Sequence, residues 1–319
     1  MSGTGELAAV PDSRHHRAAE AMMLAATFFW ASNIVAGKVA LAAFSALALA
    51  QLRMGAAAIL YIAAYAAWRG LPPLRLGRRP WGLLAAMALA GITANQIFYI
   101  GGLAKTSVTH AGLLQAIGPI AVLLLSAAMG REALTSRKLV GMTVSFLGVA
   151  LLLVEKPASG SGAHWTGDVL LILAGVVFAY YTILTKEVAH RYDPLTLNVY
   201  VFALGALFLI PFCAFSVARV PWATIPLQAW LGLAYMVLFG SLIAYLIYAF
   251  ALERLAASNV AAFAYLQPVM AAVLGIWLLG ERLSTSVVIG GALIMGGLYL
   301  TERARGGGRH LDHIAAGKI

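Results

Sequence analysis

The sequence predicts an all-α integral membrane protein with ten transmembrane helices, arranged as two inverted five-helix repeats. Three observations predict this fold: a very apolar composition, ten apolar runs long enough to cross a bilayer, and an internal duplication. Hydrophobic residues make up 62% of the chain and charged residues 11%, whereas soluble domains carry roughly 25% charged residues. A chain of 319 residues therefore has room for ten spans and short loops, but not for a separate soluble domain.

An offset of 149 residues brings the second half of the chain into register with the first. Matching pairs at this offset include Pro119 and Pro268, Tyr99 and Tyr248, Gly91 and Gly240, and Gly148 and Gly297. Solenoid repeats have periods of about 20 to 50 residues. The longer period seen here indicates a duplicated domain.

The ten apolar runs are bounded by Gly, Pro or charged residues. In the first half they cover 19–43, 45–68, 80–102, 108–129 and 136–154, and in the second 166–190, 194–217, 226–250, 257–279 and 285–302. We therefore expect an N-terminal tail at 1–18, a first repeat at 19–154, a linker at 155–165, a second repeat at 166–302 and a C-terminal tail at 303–319.

The basic residues predict the orientation of these spans, because Lys and Arg concentrate on the cytoplasmic side of a membrane. Ten spans place both termini on one side. Of the 22 Lys and Arg residues, five fall on the other side, Arg53 lies within a span, and the remaining sixteen fall with the termini. Both tails are thus expected to be cytoplasmic and the 155–165 linker periplasmic.

The repeat is expected to be inverted, because a unit of five spans is odd and the second copy must enter the membrane from the opposite face. Inverted repeats are a recurring plan of secondary transporters, whose two halves exchange inward-open and outward-open shapes around a midplane site. Two segments of small residues predict close helix contacts: Gly141 with Ser145, and Ala292 with Gly296. The sequence leaves open whether they join the halves or two protomers, and with it the oligomeric state.

Several functional classes are excluded by composition and motifs. Cys213 is the single cysteine, so neither an intrachain disulfide nor a cysteine-based metal site is expected, and no metal or cofactor is predicted. The basic residues are scattered between apolar runs, which argues against a nucleic-acid partner. No H-E-x-x-H, G-x-S-x-G or Walker motif occurs, so we do not expect an enzyme. The expected partners are the lipid bilayer and a small-molecule substrate.

Polar and aromatic residues inside spans are the candidates for substrate binding, because a polar group at membrane depth faces either a cavity or a neighbouring helix. The candidate set is Trp30, Asn33, Asn95, Gln96, Tyr99, Gln115, Tyr180, Tyr181, Tyr245, Tyr248, Tyr265 and Gln267. Aromatic rings can stack on an aromatic substrate and attract an ammonium group, although such rings also pack between helices. Tyr99 and Tyr248 fall toward opposite ends of the pathway and are hypothesised to be paired gate residues.

Four more residues interrupt otherwise apolar spans. Pro119 and Pro268 each remove a backbone hydrogen bond, which predicts a hinge or a cavity wall, with a packing kink as the alternative. Arg53 lies about two turns inside the second span, where a cation costs about 2.5 to 3.5 kcal/mol; it either meets a substrate carboxylate or has a structural role, by reaching the surface or bonding helix-end carbonyls. His110 either accepts a proton or bonds a neighbouring carbonyl. Because no Asp or Glu falls well inside a span, we expect no obligatory ion coupling.

Short motifs around these spans resemble a known family. The first span contains Trp30-Ala31-Ser32-Asn33, a G-x-E-x-L-[ST] element follows the fourth span at Gly130, and a close copy follows the ninth at Gly280. With ten helices as five plus five, they look like the EamA-type branch of the drug/metabolite transporter superfamily, and most like aromatic amino-acid exporters of the YddG type.

That resemblance implies a transporter in a bacterial inner membrane that exports aromatic and other neutral amino acids. It also implies alternating access around a cavity near the midplane. The alternative is a proton-linked exporter of other small metabolites or drugs. Ala179 and Thr182 stand where the first half has Trp30 and Asn33, so the cavity should be asymmetric.

Overall fold

The computed structural model describes residues 13–70, 78–130, 134–154, 164–189, 191–255, 260, 263 and 266–316. In these residues the regular structure is entirely helical, and ten helices occupy the ten predicted spans. Eight are long and apolar enough to cross a membrane: Ala18–Leu41 (α1), Ala46–Arg69 (α2), Trp81–Leu103 (α3), Val108–Ala128 (α4), Ser136–Leu153 (α5), Trp165–Val188 (α6), Pro194–Ala218 (α7) and Leu227–Arg254 (α8). Leu266–Leu279 (α9) and Thr285–Thr301 (α10) are shorter apolar helices. The predicted fold class is confirmed.

The two ends of the bundle differ in what they contain. We call the end at which α1 begins and α10 finishes the terminal face, and the other end the opposite face. The helix that contains α1 starts at Ser13, and the helix that contains α10 continues to Ala316. Most of the predicted linker, 155–163, lies outside the described residues.

Helices α5 and α10 join the two halves through backbone-to-backbone contact. A Cβ added at Gly141 would lie 2.5 Å from the carbonyl oxygen of Gly297, and one added at Gly148 would lie 2.5 Å from that of Gly290. The 149-residue offset relates Gly141 to Gly290 and Gly148 to Gly297, so each of these contacts is the equivalent of the other. A twofold axis between two antiparallel helices requires this relation. The small-residue contact predicted for α5 therefore lies between the halves of one chain.

The α10 side of this contact differs from the prediction. No atom lies within 4 Å of a Cβ added at Gly296, and Ala292 is exposed. The residues that face α5 are Gly290, Ile294 and Gly297; for example, Ser145 Oγ donates to the carbonyl of Ile294 at 3.0 Å. Ala292 and Gly296 therefore do not join the two halves, and a contact of these residues between two protomers stays a prediction.

Helices α2 and α7 are tied together at the terminal face. Asp193 caps α7 by accepting hydrogen bonds from the Thr196 amide at 3.1 Å and its hydroxyl at 2.6 Å. Arg69, the last residue of α2, donates to the same carboxylate at 2.7 Å. Partial burial by itself would raise the pKa of Asp193, but the hydrogen bonds from Thr196 and Arg69 outweigh it and hold that pKa below its usual value.

Helices α3 and α8 each contain a π-helical segment at equivalent positions, Leu89–Ala94 and Met236–Ile243. Such wider turns occur in α-helices mostly as single insertions, often at functional sites. Each segment holds a glycine of the matched pair Gly91 and Gly240. A Cβ at Gly91 would overlap the ring of Tyr181, and one at Gly240 would overlap the amide of Asn33. The two segments thus let side chains from α6 and α1 approach the backbones of α3 and α8.

Candidate functional site

A cavity lies near the middle of the bundle, between helices of both halves. Its empty volume is about 840 Å³, including the space at its mouth that is open to solvent. Nine of the twelve predicted binding residues line it, together with Arg53 and Pro119: Trp30, Asn33, Asn95, Gln96, Tyr99, Gln115, Tyr245, Tyr248 and Gln267. The structure therefore brings together residues from α1, α3, α4, α8 and α9 that are far apart in sequence.

The other predicted residues lie elsewhere. Tyr180 is 37% exposed on the outside of α6. Tyr181 is fully buried, but it packs behind the cavity wall, with its ring 5.5 Å from that of Phe178. Pro268 is buried at the crossing of α4 and α9, 3.6 Å from a Cβ added at Gly112. Tyr265 lies outside the described residues.

Pro119 coincides with a break in α4. The helix runs from Val108 to Gln115, is interrupted at Ala116 and Ile117, and resumes from Gly118 to Ala128. A proline in the first turn of the second segment fits this break, because its missing N–H is not needed there. The interruption lies at the cavity, where Gln115 and Gly118 form part of the wall.

The cavity is polar at its end nearest the opposite face, around Arg53. The Arg53 guanidinium donates from Nε to Ser241 Oγ at 2.9 Å and from Nη1 to Gln96 Oε1 at 3.2 Å. Gln96 donates in turn to Asn95 at 3.0 Å, and Asn95 donates to the carbonyl of Ala174 at 3.0 Å. The network joins α2, α3, α6 and α8 around one cation.

Arg53 is 2% exposed, and its partners in this network are all neutral. Among the described lining residues it is the only Lys, Arg, Asp or Glu, and no described carboxylate lies within ion-pair distance of it. An arginine remains protonated in proteins, and a buried charge is normally paired. The polar end of the cavity is therefore suited to an anionic group.

Aromatic rings form the middle of the cavity wall. The ring of Trp30 lies edge-on to three others, with centroids 5.3 Å from Tyr248, 5.9 Å from Tyr245 and 6.2 Å from Phe178. Its Nε1 donates to the carbonyl of Gly240 in the α8 π-segment at 3.1 Å, which fixes the orientation of the indole. The cluster presents ring faces and edges of a kind that can pack against an aromatic group.

Two hydrogen bonds beside the cavity are related by the duplication. Asn33 Nδ2 donates to the Tyr99 hydroxyl at 3.1 Å, and Thr182 Oγ1 lies 2.7 Å from the Tyr248 hydroxyl. Each bond joins residues 66 positions apart, and the 149-residue offset converts one pair into the other. The partners of the two tyrosines differ, because the first half has the Asn33 amide where the second has the Thr182 hydroxyl. The two ends of the cavity are therefore chemically unequal.

His110 lies at the opposite face, away from the cavity lining. It contacts a carboxylate: its Nδ1 is 3.0 Å from Asp168 Oδ2. Asp168, near the start of α6, is fully buried and also accepts from the Thr106 hydroxyl at 2.6 Å. Although Asp168 lies near the end of a span, its carboxylate is therefore not exposed to solvent.

Some functional residues were missed from sequence. Phe178, Thr182 and Ser241 contribute to the aromatic cluster, the second hydrogen-bonded pair and the Arg53 network. Thr182 and Phe178 stood at positions equivalent to Asn33 and Phe29, so the offset was a usable signal. Ser241 follows a matched glycine, but nothing in the sequence indicated that it contacts Arg53.

The fold and cavity define a class: a multi-pass membrane protein of two related five-helix halves around a shared central cavity. The EamA-like transporter family matches residues 17–154 and again residues 165–303. The chain belongs to this family, and the repeated match corresponds to its two halves.

Similar proteins carry transporter names. An uncharacterized transporter of Archaeoglobus fulgidus is 32% identical over 88% of this chain and 96% of its own length. A probable terminal-alkyne amino-acid exporter of Streptantibioticus cattleyicolor is 30% identical over 86% of this chain and 90% of its own. A solved crystal structure with 21% identity has a TM-score of 0.63 and covers 89% of this chain and 96% of its own, which supports the fold. The family and these relatives are transporters, so the chain is assigned to transport across a membrane.

Proposed function

We propose that this protein exports neutral amino acids, with a preference for aromatic or other apolar side chains, from the cytoplasm across a bacterial inner membrane. The proposal rests on the environment of Arg53, which is a buried cation in the cavity lining and donates hydrogen bonds to the neutral side chains of Ser241 and Gln96. It would bind the substrate carboxylate. The aromatic cluster around Trp30 would hold the side chain. The similarity, at 30% identity, to a probable terminal-alkyne amino-acid exporter supports amino acids as the substrate class.

Transport is proposed to proceed by alternating access without an obligatory ion, with both termini in the cytoplasm. Export would then be driven by the amino-acid gradient, as expected where the described cavity lining contains no carboxylate to carry a proton. The experiment is counterflow of radiolabelled amino acids in proteoliposomes, with aromatic, small neutral, acidic and basic members. We expect tryptophan, phenylalanine and similar neutral amino acids to exchange. Exchange of only basic or only acidic members would contradict the proposal.

A proton-linked exporter of other small molecules is the second candidate, and one observation favours it: the buried carboxylate of Asp168 next to His110. Other charged residues border the same region, since Glu281 binds Thr109 beside His110 and Lys38 interacts with Glu281. Uptake into proteoliposomes that requires an imposed proton gradient would select this candidate over facilitated export.

We expect Tyr99→Phe and Tyr248→Phe to shift the conformational equilibrium in opposite directions. Each variant keeps the ring and removes the hydroxyl that bonds Asn33 or Thr182, at a cost of about 0.5 to 1.5 kcal/mol. Tyr99 lies toward the opposite face and Tyr248 toward the terminal face, so their loss should favour opening at those respective ends. Accessibility of a cavity cysteine to an impermeant maleimide, applied from each side in turn, measures the shift. A shift in the same direction for both variants would disprove paired gating.

A further inference from the structure

The end of the connection from α3 and the first turn of α4, residues 106–110 (the 106–110 turn), are held by carboxylates on both sides. On one side, Asp168 of α6 accepts from the Thr106 hydroxyl at 2.6 Å and contacts His110 Nδ1 at 3.0 Å. On the other, Glu281, just after α9, accepts from the amide and hydroxyl of Thr109 at 3.0 and 2.6 Å. The Val108 amide adds a bond to Glu281 at 2.7 Å. Hydrogen bonds to ionised groups are roughly twice as strong as neutral ones.

Glu281 occupies a favourable position in this arrangement. The α4 helix begins at Val108, so the carboxylate lies at a helix N-terminus, where unpaired amides and the helix dipole favour negative charge. It also packs against α9, since its Oε2 lies 2.8 Å from a Cβ added at Gly275. The side chain therefore links the end of α9 to the start of α4.

Both carboxylates belong to the second half of the chain, and the turn they hold belongs to the first. All of these contacts lie at the opposite face, beyond the Arg53 end of the cavity. The cavity lining extends the other way, to Met23 of α1 and Val260 ahead of α9, both toward the terminal face. At the opposite face the halves are thus held together beside this turn, and the cavity extends toward the terminal face.

The duplication shows that this clasp has no full equivalent at the terminal face. The 149-residue offset places Ala19 at the position of Asp168 and Leu255 at the position of Thr106. Both are buried apolar residues. Only Glu281 has an acidic counterpart in sequence, Glu132. Closure of the opposite face is therefore supported by a buried carboxylate, Asp168, for which the terminal face has only an apolar equivalent.

We propose that Asp168 and Glu281 form an outer latch that positions the 106–110 turn and sets the resting state, with the cavity open to the terminal face. In the outward-open state both carboxylates must separate from the 106–110 turn. The strength of these hydrogen bonds therefore sets how often the cavity opens at the opposite face. This inference rests on the proposed alternating access, but not on the identity of the substrate.

The test uses one reporter cysteine in the cavity, Val122→Cys, in a Cys213→Ala background. An impermeant maleimide is added to oriented membrane vesicles from either side, without substrate. The parent should be labelled mainly from the terminal face. Asp168→Asn and Glu281→Gln should each raise the labelling rate from the opposite face about tenfold, which corresponds to about 1.4 kcal/mol, because each variant loses hydrogen bonds to an ionised group.

Two further variants sharpen the result. Thr106→Val removes one donor to Asp168 and is expected to act in the same direction with a smaller effect, even if a carboxylate variant folds poorly. Glu253→Gln removes a carboxylate paired with Arg254 near the terminal face and should leave both labelling rates unchanged.

Three results would overturn the latch: no increase from the opposite face in any latch variant, an equal increase from both faces, or the same increase in Glu253→Gln. Since no substrate is present, such a failure is independent of the counterflow assay that tests the proposed amino-acid export.

Discussion

Arg53→Gln is expected to reduce amino-acid counterflow by roughly 100-fold, because the substrate carboxylate would lose its cationic partner in a desolvated site. Removing one member of a buried charge pair typically costs about 2 to 5 kcal/mol, and every 1.4 kcal/mol is about a tenfold change in affinity. Arg53→Lys keeps the charge but not the planar fork of donors, so it should retain part of the activity.

The Arg53→Gln substitution should not reduce the stability of the protein as it reduces transport. In the substrate-free protein the Arg53 charge is buried with only neutral partners, which costs free energy. We therefore expect the Tm of Arg53→Gln in detergent to equal or exceed that of the parent. Gln51→Leu is the matched control, because Gln51 lies on the same helix and bonds the Ala206 carbonyl of α7, outside the cavity lining. Normal counterflow by Arg53→Gln, or a loss that only follows unfolding, would contradict the carboxylate-binding role.

The second large effect is expected at the α5–α10 contact. A Cβ at Gly297 would lie 2.5 Å from the Ser145 amide nitrogen and would overlap the carbonyl oxygen of Gly141. Backbone atoms cannot move aside as a flexible side chain can, so Gly297→Ala must push the two helices apart. Overpacking of this kind costs about 1 to 3 kcal/mol. We expect Tm to fall by several degrees.

The chain provides matched controls for this prediction. Gly296→Ala, one residue away, adds a methyl group with no atom within 4 Å and should leave Tm unchanged or slightly higher. Gly148→Ala, at the position equivalent to Gly297, should destabilise by a similar amount, because its Cβ would meet the carbonyl of Gly290. Equal Tm values for Gly296→Ala and Gly297→Ala would show that this contact contributes little to stability.

The span prediction succeeded because the requirement behind it is simple. A bilayer imposes a minimum apolar length on each helix, and eight of the ten predicted runs correspond within a few residues to described helices of that length. The last two runs correspond to shorter apolar helices, and α9 is described from Leu266, whereas its predicted run begins at 257. The duplication was equally readable, and it predicted relations that hold in three dimensions. The pairs Asn33–Tyr99 and Thr182–Tyr248 form equivalent hydrogen bonds.

Side-chain direction was harder to predict. Adjacent tyrosines at 180 and 181 looked alike in sequence, yet one is exposed and the other fully buried. In a membrane helix the hydrophobic pattern does not distinguish the lipid-facing side from the packed side, because both are apolar. For the same reason small-residue spacing did not indicate that Gly297, and not Gly296, faces α5.

By itself, the sequence determined that this protein is a ten-helix membrane protein of two inverted halves, with polar and aromatic residues inside its spans. Only the tertiary structure decided which of those residues share a cavity, that Arg53 is buried there with no carboxylate partner among the described residues, and that Asp168 and Glu281 clasp a turn of the other half. The physical reason is that span length and duplication can be read along the linear chain. Pairing of buried polar groups depends on contacts between helices that are distant in sequence.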